Sequence, residues 1–198
     1  MNAEEYLDRL LANYAGTYNI YVPYRIYDRI YDAYGFYESH LEKYMLTRYT
    51  NLWSQDSYEH CLFLTVSDVT KELIDEMKEM IVSYVEPVLV LKGKKVPEPN
   101  HMYSYMSVIL ICDRKPERDT VRYLKKQKYE HSYRMSVRGF SQAHFCLVST
   151  EDEKIYTNPV AAGKKKLLKK VLKEVHEGRT GFKELADKGE LTPFHQEI

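Results

Sequence analysis

The stretch YNIYVPYRIYDRIYDAYGFYESHLEKYMLTRYTNLWSQDSYEHCLFLTV, residues 18–66, decides how the chain is read. It opens with tyrosine at Tyr18, Tyr21, Tyr24, Tyr27, Tyr31, Tyr34 and Tyr37, and the chain holds 19 tyrosines in all. Tyrosine joins a large apolar ring to one hydroxyl, so it suits half-buried surfaces, strand faces and binding platforms. Tyr24, Tyr27, Tyr31 and Tyr34 recur at helical spacing, with Ile26 and Ile30 beside them. Against a helix, Pro23 and Gly35 bracket the segment, and Tyr and Ile favour strands. Helix and strand therefore both stay open for residues 18–34. Beyond them FYESH, KYMLTRY and YEHCLFLTV read as short strands separated by polar breaks. The expectation is an antiparallel meander from about residue 30 to residue 66.

Outward from this stretch the pattern alternates. Towards the N-terminus, Asn2 with Glu5 forms a capping-box start for a helix over residues 3–15. Tyr6, Leu7, Leu10, Leu11 and Tyr14 make its apolar face, and Gly16 stops it. Towards the C-terminus, Asp68 reads as the N-cap of a helix over 69–86 that Pro87 ends. A Pro- and Lys-rich loop spans 92–100, and MYSYMSVILIC follows as a strand. Pro116-Glu117 opens a helix to about Tyr129. Strands are expected around 132–138, 143–149 and 154–157, then a helix over 161–177 stopped by Gly178. Residues 178–198 read as a loosely packed tail. The expected fold is α+β: a single domain over 1–198, with a mixed, mainly antiparallel sheet and packed helices.

Composition fits that class. At 198 residues the chain can bury a real core, and 44% hydrophobic with 13% aromatic residues argues against disorder. No apolar run approaches the ~20 residues of a membrane span. The N-terminus, Met1-Asn2-Ala3-Glu4-Glu5, is acidic with no apolar signal core behind it, so a cytoplasmic location is expected. Cys61, Cys112 and Cys146 each sit in an apolar stretch, which fits reduced core thiols. Net charge is zero but uneven, at −5 over residues 1–116 and +5 over 117–198.

Several local patterns together resemble a known family. They are EKYMLTRYTNLW (42–53), YEHC (58–61), HMYSYMSVILICD (101–113), LKKQKYEHSY (124–133), RGF (138–140) and IYTN (155–158). In this order they are similar to an uncharacterised family of small bacterial proteins. The likeness covers roughly residues 18–172 and implies no activity, cofactor or catalytic residue.

Chemistry must then be read from the residues. The basic excess lies in two runs, Arg118, Arg122, Lys125, Lys126, Lys128, Arg134 and Arg138, then Lys164, Lys165, Lys166, Lys169, Lys170 and Lys173. Tyr123, Tyr129 and Tyr133 interleave with the first run, a pattern that suits single-stranded nucleic acid. The second run lies opposite the apolar stripe of an amphipathic helix, which more often solvates one face than binds a ligand. The leading reading is a non-enzymatic binding module whose basic C-terminal half meets an anionic partner such as nucleic acid. The alternative is a Mg²⁺-dependent nuclease of the PD-(D/E)xK type. Glu98 and Asp113 would hold the metal and Lys115 would steady the attacking water. Gly139-Phe140-Ser141-Gln142-Ala143 resembles a nucleophile elbow, but the strand pattern after it favours a hairpin turn. Histidines 40, 60, 101, 131 and 144 show no metal-ligand spacing, and no cofactor is implied.

Overall fold

Asn2 and Glu5 cap one another at the start of the first helix, α1 (Ala3–Tyr14). Asn2 Oδ1 accepts from Glu5 N at 2.8 Å, and Glu5 Oε2 accepts from Asn2 N at 3.0 Å. This is the capping box read from the sequence. The computed structural model describes residues 1–44 and 51–196. After α1 it resolves residues 18–34 in favour of strands: β1 (Asn19–Tyr21), β2 (Tyr24–Ile26) and β3 (Arg29–Tyr31). Tyr27 takes a left-handed backbone (φ 52°) in the turn between β2 and β3, so no helix can continue through it.

β4 (Ala33–Tyr44) and β5 (Asn51–Val66) pair antiparallel along their length, from Ala33 opposite Phe63 to Tyr44 opposite Asn51. The expected meander is thus two long strands. Residues 45–49 of KYMLTRY lie outside the described residues. Next comes α2 (Lys71–Met80), whose N-cap is Thr70: its Oγ1 accepts from Leu73 N at 3.2 Å. Asp68, expected in that role, instead accepts from Val69 N. Nor does Pro87 end the helical path. Ile81–Val90 continue as a π-helix through it, with Leu91 N donating to Glu86 O. Proline disrupts an α-helix by losing one hydrogen bond and crowding the carbonyl four residues back; a wider turn takes that carbonyl out of the ring's path.

The remaining elements are β6 (His101–Cys112), α3 (Arg118–Lys126), β7 (Glu130–Ser132), β8 (Phe140–Ser149), β9 (Lys154–Thr157), a 3-10 turn (Pro159–Lys164), α4 (Lys165–His176) and α5 (Phe182–Asp187). Among the described residues seven strands form one sheet in the order β1-β4-β5-β6-β8-β7, with β9 also on β8, while β2 and β3 pair separately. β5–β6 and β6–β8 are parallel, and the other pairs are antiparallel. The mixed α+β sheet expected from sequence is present, with a parallel centre.

That centre is buried on both faces, which is why VILIC in β6 and HFCLVS in β8 read as continuous apolar runs. On one face Cys61, Phe63, Ile109, Ile111, Cys146 and Val148 meet α1, α4 and Phe182 of α5. On the other, Leu62, Leu64, Val108, Leu110, Phe145 and Leu147 meet α2, the π-helix and Leu124 of α3. Tyr6 is buried between α1 and α4 and donates its hydroxyl to Leu168 O at 2.9 Å. The three cysteines are free and buried. In the C-terminal segment Phe182 joins the core, and Phe194 N donates to Ile20 O at 2.7 Å.

Candidate functional site

Alternation along the strands sends Tyr34, Phe36 and Glu38 of β4, Tyr58 and His60 of β5, and Ser104 of β6 to one face, because these residues oppose one another in register. The π-helix covers the apolar rows of that face and then turns away at Lys92 and Gly93, both left-handed (φ 50° and 75°). Past its end the sheet is open. The result is a cleft of about 280 Å³, floored by these side chains and walled by Leu89–Lys92, Lys94, Pro97, Glu98 and His101.

Rings dominate the cleft. Phe36 lies parallel to Tyr58 (centroids 6.2 Å, 13°), and Tyr58 lies parallel to His101 (6.1 Å, 10°). His60 sits 5.2 Å from Phe36 and accepts a 2.7 Å hydrogen bond at Nδ1 from the Tyr34 hydroxyl. We assign Tyr34 as the donor, since its buried hydroxyl proton would otherwise lack an acceptor; the imidazole proton then sits on Nε2. Burial pushes the His60 pKa down to about 3, so the ring is neutral at ordinary pH. Burial likewise lowers His101, although the Arg138 carbonyl opposes it. Burial, reinforced by Asp56 and Glu38, pushes the Tyr58 phenol up to about 12.

Charge gathers at the mouth. Lys94 and Glu98 form an ion pair, and Glu98 is held below its ordinary value by it. Lys92 lines the cleft and Arg138 lies near Glu98; neither has a carboxylate partner among the described residues. Two further polar clusters brace the sheet. Glu86, buried in the π-helix, accepts from His131 Nδ1 at 2.8 Å, from the Tyr133 hydroxyl at 2.5 Å and from the Tyr129 hydroxyl. On the opposite face, buried Glu59 pairs with Lys164 and accepts from Ser107 Oγ and the Tyr18 hydroxyl.

The residues singled out in the sequence are scattered by comparison. Glu98 precedes β6 and Asp113 follows it, so a twelve-residue strand separates them, a span of roughly 40 Å at ~3.3 Å per residue. They cannot share a metal, and the nuclease constellation is removed. Asp113 instead accepts from Ala3 N at 2.8 Å, and Lys115 N donates to Glu151. Among the described residues no group of three His, Cys, Asp or Glu could hold a metal ion. The β7–β8 hairpin turns through residues 133–139, where a strand over 132–138 was expected, and Phe140 and Ser141 already lie in β8 and not in the turn.

The two basic runs lie on opposite faces of the sheet. Arg118, Arg122, Lys125 and Lys126 ride α3 on the cleft's face, towards β9, where Lys125 Nζ stands 5.8 Å from the Tyr156 ring. Lys128 is exposed just beyond. Arg134 and Arg138 lie in the hairpin loop beside His101. Lys165 and Lys169 belong to α4, across the sheet. In the sequence His60 and His101 count only among histidines without metal-ligand spacing, and Ser104 and Lys92 are not among the candidate residues. Their one local signal is the period-two run of Tyr34, Phe36 and Glu38 facing Tyr58 and His60, legible only once the hairpin register is known.

No described helix is long and apolar enough to cross a membrane. The chain belongs to the family described as a domain of unknown function (DUF8052), which matches residues 2–170. No curated protein and no solved structure matches it.

Proposed function

We propose that the protein is a binding module and that the cleft takes a nucleotide unit, a flat base carrying a phosphate. One observation carries this reading: stackable rings and an unpaired ammonium meet at a single opening. Phe36, Tyr58 and His101 present near-parallel rings along one strip of sheet, and Lys92 stands at the mouth without an ion-pair partner among the described residues. A base stacked on such rings contributes about 1–3 kcal/mol. The neutral His60 offers an Nε2–H to a ring acceptor, and Lys92 with Arg138 meets the phosphate. The basic helices contribute less to this reading, because α3 and α4 face away from each other across the sheet and form no common track. A cytoplasmic setting with reduced thiols suits such a ligand.

Calorimetric titration with nucleoside monophosphates and with a short single-stranded oligonucleotide tests the proposal. Saturable binding is expected, with a shallow salt dependence of about −0.7 per phosphate contacted. Lys92→Glu should weaken it at least about tenfold, the scale of losing one charge-assisted contact. Joint reversal of Lys125, Lys126 and Lys128 to glutamate should leave it within about twofold, since these residues lie away from the cleft. The opposite pattern, a steep salt slope abolished by the triple reversal, assigns binding to α3 and rejects the cleft. Equal affinity for monomer and oligonucleotide identifies a free nucleotide as the ligand; tighter oligonucleotide binding identifies a strand.

A further inference from the structure

Residues three apart on a regular strand point to opposite faces, so His101 and Ser104 should be separated by the sheet. They are not. Asp56 opposes His101 but Ser57 opposes Tyr103, leaving Met102 as an extra residue in a β-bulge. The bulge turns His101 onto the face of Ser104, the kind of re-aiming for which bulges beside active sites are used. Ser104 Oγ and His101 Nε2 then lie 2.8 Å apart, and His101 Nδ1 lies 2.9 Å from the Arg138 carbonyl. A carbonyl oxygen can only accept, so Nδ1 holds the ring proton and the Nε2 lone pair faces the serine hydroxyl. The hairpin that supplies this carbonyl is fixed against β6 by Gly139. At φ 72° its position tolerates no side chain, since a Cβ there would lie 2.0 Å from Met102 O. The edge of Tyr133 packs on the His101 ring at 5.7 Å.

This is a nucleophile, a base and a group that orients the base, the arrangement that activates a serine. Both side chains line the cleft, His101 in its wall and Ser104 fully buried at its floor, so a ligand reaches the serine hydroxyl only as neighbouring side chains shift. We propose that Ser104 is an acyl-accepting nucleophile, with His101 as its base, for a small ester seated in the cleft. Ser104 Oγ attacks the ester carbonyl carbon, and its proton passes to His101 Nε2. The alcohol departs with that proton as the C–O bond breaks. Water, deprotonated by His101, then attacks the acyl-serine; serine recovers its proton and the acid is released.

The inference rests on the cleft being an open ligand site. The whole protein is treated with a small alkyl fluorophosphonate, which forms an O–P bond at an activated serine as fluoride leaves. Mass spectrometry of the digest should find one adduct, on the Ser104 peptide, absent in Ser104→Ala. His101→Gln should slow its formation by about 10²–10⁴-fold, the usual worth of a positioned base. A hydrogen bond with only a structural role would not move that rate. An unlabelled Ser104, or equal labelling in His101→Gln, overturns the proposal. Nucleotide titration of Ser104→Ala separates the two readings. Wild-type affinity without any adduct in the parent protein leaves the binding module standing and removes the nucleophile. Should Ser104→Ala fail to fold, the adduct map and the His101→Gln rate still decide.

Discussion

Replacing Lys164 with methionine strips the cation from a carboxylate that has nowhere to go. Glu59 is 7% exposed; its Oε1 accepts from Ser107 Oγ at 2.6 Å and from Lys164, and its Oε2 from the Tyr18 hydroxyl at 2.8 Å. Burial alone would raise its pKa, but the Lys164 charge and these hydrogen bonds outweigh it and hold the carboxyl below its ordinary range. Burial would lower Lys164, and Glu59 reverses that, holding the ammonium above its ordinary value. Breaking a buried pair from one side costs about 3–5 kcal/mol, because a charge is left desolvated and unpaired. For a chain of this size that is a loss of roughly 6–20 °C in Tm. The double variant Glu59→Gln/Lys164→Met leaves no charge and should recover to within about 1–2 kcal/mol of the parent, since a neutral replacement of a buried pair is often tolerated.

The assay is urea unfolding followed by circular dichroism, repeated from pH 4 to 9. In the parent, Glu59 has a depressed folded pKa. Its contribution is complete above the unfolded value of about 4.3 and is lost as pH falls through the folded value. Lys164 is raised, so its contribution is complete below about 10.4 and is lost only as pH rises through its folded value. In Lys164→Met the sign at Glu59 reverses: the orphaned carboxylate gains by taking a proton, so the deficit should shrink as pH falls from 7 to 5. A Lys164→Met protein within about 1 kcal/mol of the parent, or a deficit that grows on acidification, would refute this account.

Three further outcomes are expected. Tyr6→Phe, which removes the hydroxyl donated to Leu168 O, should cost about 0.5–1.5 kcal/mol in the same unfolding assay; Tyr6→Ala, which empties the α1–α4 seam, should cost about 3–5. Gly139→Ala should cost more than about 3 kcal/mol, because left-handed strain of about 1–3 adds to a Cβ 2.0 Å from backbone. Gly93→Ala, left-handed but open, should cost only the strain; equal losses at the two sites would contradict the close approach. The His60 ring, with its folded pKa pushed down to about 3, should show no titration by NMR between pH 8 and 4. The unfolded chain takes that proton near pH 6.5, so stability should fall as pH drops from about 6.5 towards 3, by up to ~1.4 kcal/mol per unit from this group.

Local chemistry made much of the framework legible. The capping box at Asn2 and Glu5, the apolar stripes of α1 and α4, the stop at Gly178 and the buried runs of β6 and β8 all follow from contacts within a few residues. Elsewhere a neighbouring element overrode the local signal. Thr70 caps α2 where Asp68 was expected. Pro87 passes through a π-helix instead of ending a helix, where buried Glu86 collects hydrogen bonds from Tyr129, His131 and Tyr133 across the sheet. Phe182 finds a place beside α1, which no local pattern in the C-terminal segment foretold. The tyrosines are divided as well: Tyr6, Tyr14, Tyr24, Tyr31 and Tyr34 are buried in the core, whereas Tyr58 keeps a half-exposed ring in the cleft.

The sequence by itself determined an α+β chain with three core thiols and two basic amphipathic helices, because periodicity and composition depend only on residue order. Tertiary structure decided everything about the site. Strand register set Tyr34 and Phe36 against Leu62 and His60, and one extra residue at Met102 put His101 beside Ser104. The same long-range geometry sent Glu98 and Asp113 to opposite ends of β6 and the two lysine-rich helices to opposite faces. Register and layering arise from contacts tens of residues apart, and a one-residue slip reverses every side chain on a strand. The tyrosine-rich stretch could therefore be read as sheet, but not as the wall of a cleft.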